Sequence, residues 1–80
     1  MVHNRRDTFN SRGRRLLAEH IEAHWSSAGQ FADELELSHH SISFLLSGRT
    51  RPSLERAVAI EKLTRKVGLP IVTCEDWVTN

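Results

Sequence analysis

Residues 37–53 read LSHHSISFLLSGRTRPS, and the spacing of their apolar side chains decides the fold. Ser38 is a good helix N-cap, because its hydroxyl can accept from a backbone N–H that the first turn leaves unpaired. Gly48 is a natural stop, since glycine takes positive φ cheaply. A helix between them advances by about 100° per residue. On that wheel Ile42, Leu45 and Leu46 share one arc with Ser38, while His40, Phe44 and Ser47 point the other way and Ser43 borders them. The first arc is the expected core side. The outward face is short-chained or flat and almost uncharged, with Arg49 and Arg51 just beyond its end. An aromatic among small polar groups is poor core design. It suits a face that meets something flat, polar and methyl-bearing, as the major groove of DNA is.

Both flanks read as helix as well. Ser27, with Gln30 three residues later, fits a capping box for a helix whose apolar face is Phe31, Ala32 and Leu35, ending near Glu36. Two or three residues then separate it from the Ser38 helix, so the two cross steeply, as in a helix-turn-helix. Leu16, Leu17, Ile21 and Trp25 predict a first helix near 12–25. Ser53 caps a fourth helix carrying Leu54, Ala57, Val58, Ile60, Glu61 and Leu63, stopped by Gly68 and Pro70. "PIVT" is extended, and Thr73 with Asp76 can cap a last short turn holding Trp77 and Val78. Trp25 and Trp77 are expected in the core, with Trp77 pinning the C-terminal segment onto helices one and four. The expected fold is therefore all-α: a compact bundle of four to five short helices containing a helix-turn-helix. Residues 1–10 are expected to be a flexible basic arm and residues 11–80 a single domain.

Eighty residues leave no room for a second core. At 39% hydrophobic and 26% charged the composition is that of a globular domain. No apolar run approaches the roughly 18 residues of a membrane span, and the start "MVHNRRDTFN" lacks a secretory apolar segment. With a lone cysteine, Cys74, no internal disulfide can form, and the expected compartment is the cytoplasm. The net charge of +1 conceals segregation. Arg5, Arg6, Arg12, Arg14 and Arg15 crowd the N-terminus, while Glu19, Glu22, Asp33, Glu34 and Glu36 form an acidic block with no Lys or Arg among them. Such a chain can present a basic face to a polyanion; ordinary surface scatter is the other reading.

The longer run QFADELELSHHSISFLLSGRTRPSLERAVAIEKLT, residues 30–64, resembles the Cro/repressor-type (XRE-like, lambda-repressor-like) helix-turn-helix of phage and bacterial regulators. It is most similar to small Cro-like members, in which a Pro-containing loop leads to a helix ending in an "AIE-K-LT" pattern. The matching residues are Ala32 where helices two and three cross, Leu37-Ser38 closing the turn, Ile42 and Leu45 anchoring the recognition helix, and Gly48 with "RTRPS" after it. The similarity spans about residues 28–78. It implies DNA base contacts from Ser38, His39, His40, Ser43 and Phe44, and phosphate contacts from Gln30, Ser47, Arg49, Thr50 and Arg51. Arg5 and Arg6 become arm contacts in a minor groove, or else part of a disordered tail. It further implies a homodimer, formed in solution or only on DNA, that binds an inverted-repeat operator and acts as a repressor. One position departs from the family pattern: the turn glycine is Glu36 here. A non-glycine residue at positive φ costs about 1–2 kcal/mol, so either the turn is reshaped or that strain is tolerated.

Competing readings accompany these. Phe44 can instead anchor in a pocket of a protein partner, as in an antitoxin-like or regulatory module, or pack as displaced core. His39 and His40 can be tolerated first-turn residues. Arg12, Arg14 and Arg15 oppose the dipole of the first helix, a weak hint of an anionic partner. His20 and His24 are four apart, but no local cysteine or further histidine completes a zinc site, so no metal or cofactor is expected. No nucleophile signature surrounds Cys74, and no carboxylate pair, triad or phosphate loop assembles, so an enzyme is not expected.

Overall fold

A computed structural model describes residues 11–78, and the arm with Arg5 and Arg6 lies outside the described residues. Four helices follow in order: α1 (Arg12–His24), α2 (Ala28–Glu34), α3 (His39–Ser47) and α4 (Leu54–Val67), with a 3-10 turn at Cys74–Val78. The described residues contain no strand, and none of their helices is long and apolar enough to cross a membrane. The domain is an all-α bundle.

Each helix starts on a serine. Ser11, Ser27, Ser38 and Ser53 accept from the backbone N–H of Arg14, Gln30, Ser41 and Arg56 respectively. The ends of α2 and α3 are matched to each other. At α3 the Arg49 N–H reaches the Phe44 carbonyl (2.9 Å), the Gly48 N–H reaches Leu45, and Gly48 lies at φ 83°. At α2 the Leu37 N–H reaches the Ala32 carbonyl (2.9 Å), the Glu36 N–H reaches Asp33 (3.1 Å), and Glu36 lies at φ 59°. Glu36 thus occupies the left-handed position that Gly48 holds in α3. The turn is not reshaped: two cap bonds and the buried Leu37 and Ala32 beside them hold the strained residue. That is also why α2 ends at Glu34, two residues before the expected limit. Glu36→Gly should therefore raise stability by about 0.5–1 kcal/mol, the strain released less the entropy that glycine adds to the unfolded chain. Urea unfolding reads this directly, and a lowered midpoint would mean that Glu36 carries no strain.

The core gathers Leu17 and Ile21 of α1, Phe31 and Ala32 of α2, Leu37 of the turn, Ile42 and Leu45 of α3, Ala57 and Ile60 of α4, and Val72 and Trp77 beyond it. Trp77 lies flat on Gly13, where an added Cβ would stand 2.7 Å from the indole, so the close approach of α1 requires glycine there. The expected pinning of the C-terminal segment by Trp77 is present. Trp25 is only half-buried, with its ring edge 90° to Phe31 at 5.3 Å, and Val78 is exposed. Ser38 is exposed as well, although the wheel put it on the core arc, because a cap residue precedes the helical path.

The N-terminal arginines of α1 have partners within the chain. Arg12 Nε donates to Asp76 Oδ1 (2.8 Å), Arg14 Nη1 to the Leu46 carbonyl (3.0 Å) and Arg15 Nη1 to the Ser11 carbonyl (3.5 Å). Arg12 is thereby paired with a carboxylate of the same chain. The expected pairing of Thr73 with Asp76 at the 3-10 turn is present, the Asp76 carboxylate accepting from the Thr73 N–H at 2.9 Å. Burial pushes its carboxyl up, but the Thr73 N–H and the Arg12 guanidinium outweigh that and hold it below the usual carboxylate range.

Candidate nucleic-acid interface

The outward side of α3 divides into two stripes. His39, Ser43 and Ser47, spaced by four, border a groove of about 420 Å³ between α2 and α3, with Ala28, Gly29, Ile42 and Leu46 as its remaining walls. His40 and Phe44 form the second stripe, their ring centroids 6.4 Å apart. Over the Phe44 ring stands the guanidinium of Arg49, 5.9 Å from the ring centroid. Phe44 is 40% exposed. It is not displaced core.

Past Phe44 a recess of about 160 Å³ runs to the first turn of α4. Ser41, Phe44, Thr50, Arg51, Ser53 and Arg56 are among its walls. Two of the phosphate contacts expected from the sequence, Thr50 and Arg51, therefore line the same recess as Phe44. Sequence reasoning missed Arg56 and Ser41. Arg56 could have been flagged, since a cation in the first turn of a helix opposes its dipole and so calls for a reason.

Other expected site residues are placed less simply. The His39 ring lies on Gly29 of α2, where an added Cβ would stand 2.9 Å away, and its Nε2 is 3.4 Å from Asp33 Oδ1. Its exposed ring leans toward α2 rather than straight outward. Gln30 closes a capping box displaced by one residue: its Oε1 accepts from the Ser26 N–H (3.0 Å) and hydroxyl (2.8 Å) instead of from Ser27. That leaves the amide nitrogen as the end able to meet a phosphate. The Ser47 hydroxyl donates to the Phe44 carbonyl (3.3 Å), and the Ser38 hydroxyl is engaged with Ser41. Ser43 is exposed at the groove rim.

Arg14 fixes this surface from behind. Its bond to the Leu46 carbonyl satisfies a backbone acceptor in the last turn of α3 and sets a cation where the helix dipole is negative. Chemically, the face offers hydroxyls, an imidazole, one flat apolar ring and a cationic end. Among the described residues no group of three or more His, Cys, Asp or Glu side chains could hold a metal ion. Comparison with known protein families, curated proteins and solved structures finds no match to this chain.

Proposed function

We propose that this chain is a sequence-specific double-stranded DNA-binding regulator of the Cro/repressor type, acting as a repressor, with α3 lying in the major groove. The observation that carries the reading is Phe44, exposed between His40 and Arg49 on a face otherwise made of short polar side chains. A ring held at that height suits a thymine methyl, and the neighbouring imidazole and hydroxyls suit base edges. Ser38, His39, His40, Ser43 and Phe44 take the base contacts in this reading. Gln30, Ser47, Arg49, Thr50 and Arg51 take the phosphates, joined by Arg56. Phosphate contacts position the protein and base contacts specify sequence. A two-fold dimer would set its half-sites about 34 Å apart on an inverted repeat. The outward apolar residues of α4, Leu54 and Val58, are the proposed contact between copies.

The test is an amide-resolved NMR titration with a generic duplex at two salt concentrations. Residues 38–44 and 49–56 should shift together, and added salt should weaken the effect. No shift at low salt with the fold intact would reject DNA and give the Phe44 face to a protein partner, in whose pocket an aromatic anchor is a typical hot spot. Within the DNA reading, Arg49→Ala should weaken binding to every duplex and lower the salt slope by about one. A slope unchanged within error removes Arg49 from the phosphate contacts.

A further inference from the structure

His20 and His24 lie one turn apart on α1, so they share a face. Both rings turn to the chain that leads out of α4. The Pro70 carbonyl lies 3.1 Å from His20 Nδ1, and the Leu69 carbonyl lies 2.6 Å from His24 Nε2. A carbonyl only accepts, so the neutral rings are the Nδ1–H tautomer at His20 and the Nε2–H tautomer at His24. The His24 ring also rests against Gly68, where an added Cβ would stand 3.0 Å away. Ring centroids of the two histidines are 4.8 Å apart. His20 is fully buried, its ring set edgewise to Phe31 of α2 at 5.9 Å, and its Nε2 has no hydrogen-bond partner among the described residues.

That arrangement accommodates two neutral imidazoles and penalises two charged ones. A proton added to His20 Nε2 is buried without an acceptor and faces the second ring. We propose that His20 and His24 form an acid-released clasp on residues 68–72, which opens as pH falls below the ordinary histidine range and loosens the C-terminal 3-10 turn from α1 and α4. The clasp is independent of any DNA-binding role.

The groups facing the pair are few. Phe31 presents a ring from α2, and the connection after α4 presents backbone at Gly68, Leu69 and Pro70. His24 is the titratable neighbour acting on His20. Burial first, and His24 second, hold His20 below its usual 6.5, against the opposing pull of the Pro70 and Gly68 backbone. A group depressed in the folded state contributes stability that is complete above about 6.5 and is lost as pH falls toward the folded value. Within that window the opening equilibrium grows as pH falls, by at most about tenfold per pH unit.

NMR on the full chain tests this between pH 7.5 and 5. At pH 7.5 the ring nitrogens of His20 should report the Nδ1–H tautomer, and the reverse tautomer overturns the clasp. The reporter of opening is the Val72 amide, which donates to Thr64 Oγ1 at 3.1 Å. After correction for intrinsic exchange, its protection should fall progressively below pH 6.5, by at most about tenfold per pH unit, while Ile42, Leu45 and Ile60 keep theirs. A flat Val72 profile, or a loss in step with those core amides, overturns the proposal. His24→Gln removes the second ring and should lessen the acid response at Val72; an unchanged response overturns the pairing. His20→Phe should abolish the response, and should that variant not fold, His24→Gln and the tautomer reading still decide.

Discussion

Phe31→Ala should cost the protein between about a quarter and the whole of its stability at room temperature. Phe31 is fully buried on α2 and lies edge-on to both His20 and Trp25, so its ring joins α1 to the helix-turn-helix. Removing a core phenylalanine costs about 3–5 kcal/mol, the transfer loss plus the cavity left behind. At about 0.05–0.15 kcal/mol per residue, an 80-residue chain has a total of about 4–12 kcal/mol. The loss therefore takes about a quarter of the stability at best and more than all of it at worst. Circular dichroism in urea measures it. A cost under about 1 kcal/mol would mean that α1 and α2 close over the gap, contrary to the packing described.

Phe44→Ala should give the opposite pair of effects. The ring is 40% exposed, so truncation should cost little stability, below about 1 kcal/mol. Binding to an operator should weaken by about 1–3 kcal/mol, chiefly at a thymine-containing position. Part of any loss will be uniform, because the ring also supports Arg49. Binding of Phe44→Ala, Arg49→Ala and the double variant to matched and mismatched duplexes separates the two contributions. A loss equal on all duplexes and absent from the Arg49→Ala background would give Phe44 a positioning role and remove it from base readout. Two phenylalanines thirteen positions apart should thus fail in different assays, one in folding and one in recognition.

How legible each was follows from its neighbours in sequence. Phe31 and Phe44 both belong to strongly punctuated helices, so their faces could be separated by periodicity: Ile42 and Leu45 inward, His40 and Phe44 outward. Within the outward face, periodicity could not distinguish the stripe beside α2 from the stripe beside the α3–α4 loop. That distinction turns His39 toward Gly29 and Asp33, and it needs the position of α2. Arg56 escaped notice because it lies on the next helix, and only the folding-back of the loop brings it beside Arg51. Glu36 was legible as an anomaly, but whether the turn would yield or the residue would strain depended on cap bonds to Ala32 and Asp33.

The sequence by itself determined the helices and most of their ends, the close of α2 excepted. Serine caps, glycine stops and an apolar period act within a few residues, where chain connectivity already supplies proximity. Only the tertiary structure decided the partners of the charged and titratable groups. Arg12 meets Asp76 across 64 residues, Arg14 meets Leu46 across 32, and His20 meets Pro70 across 50. No local pattern records such pairs, because what joins them is the shared core that brings α1 against α3 and the C-terminal turn.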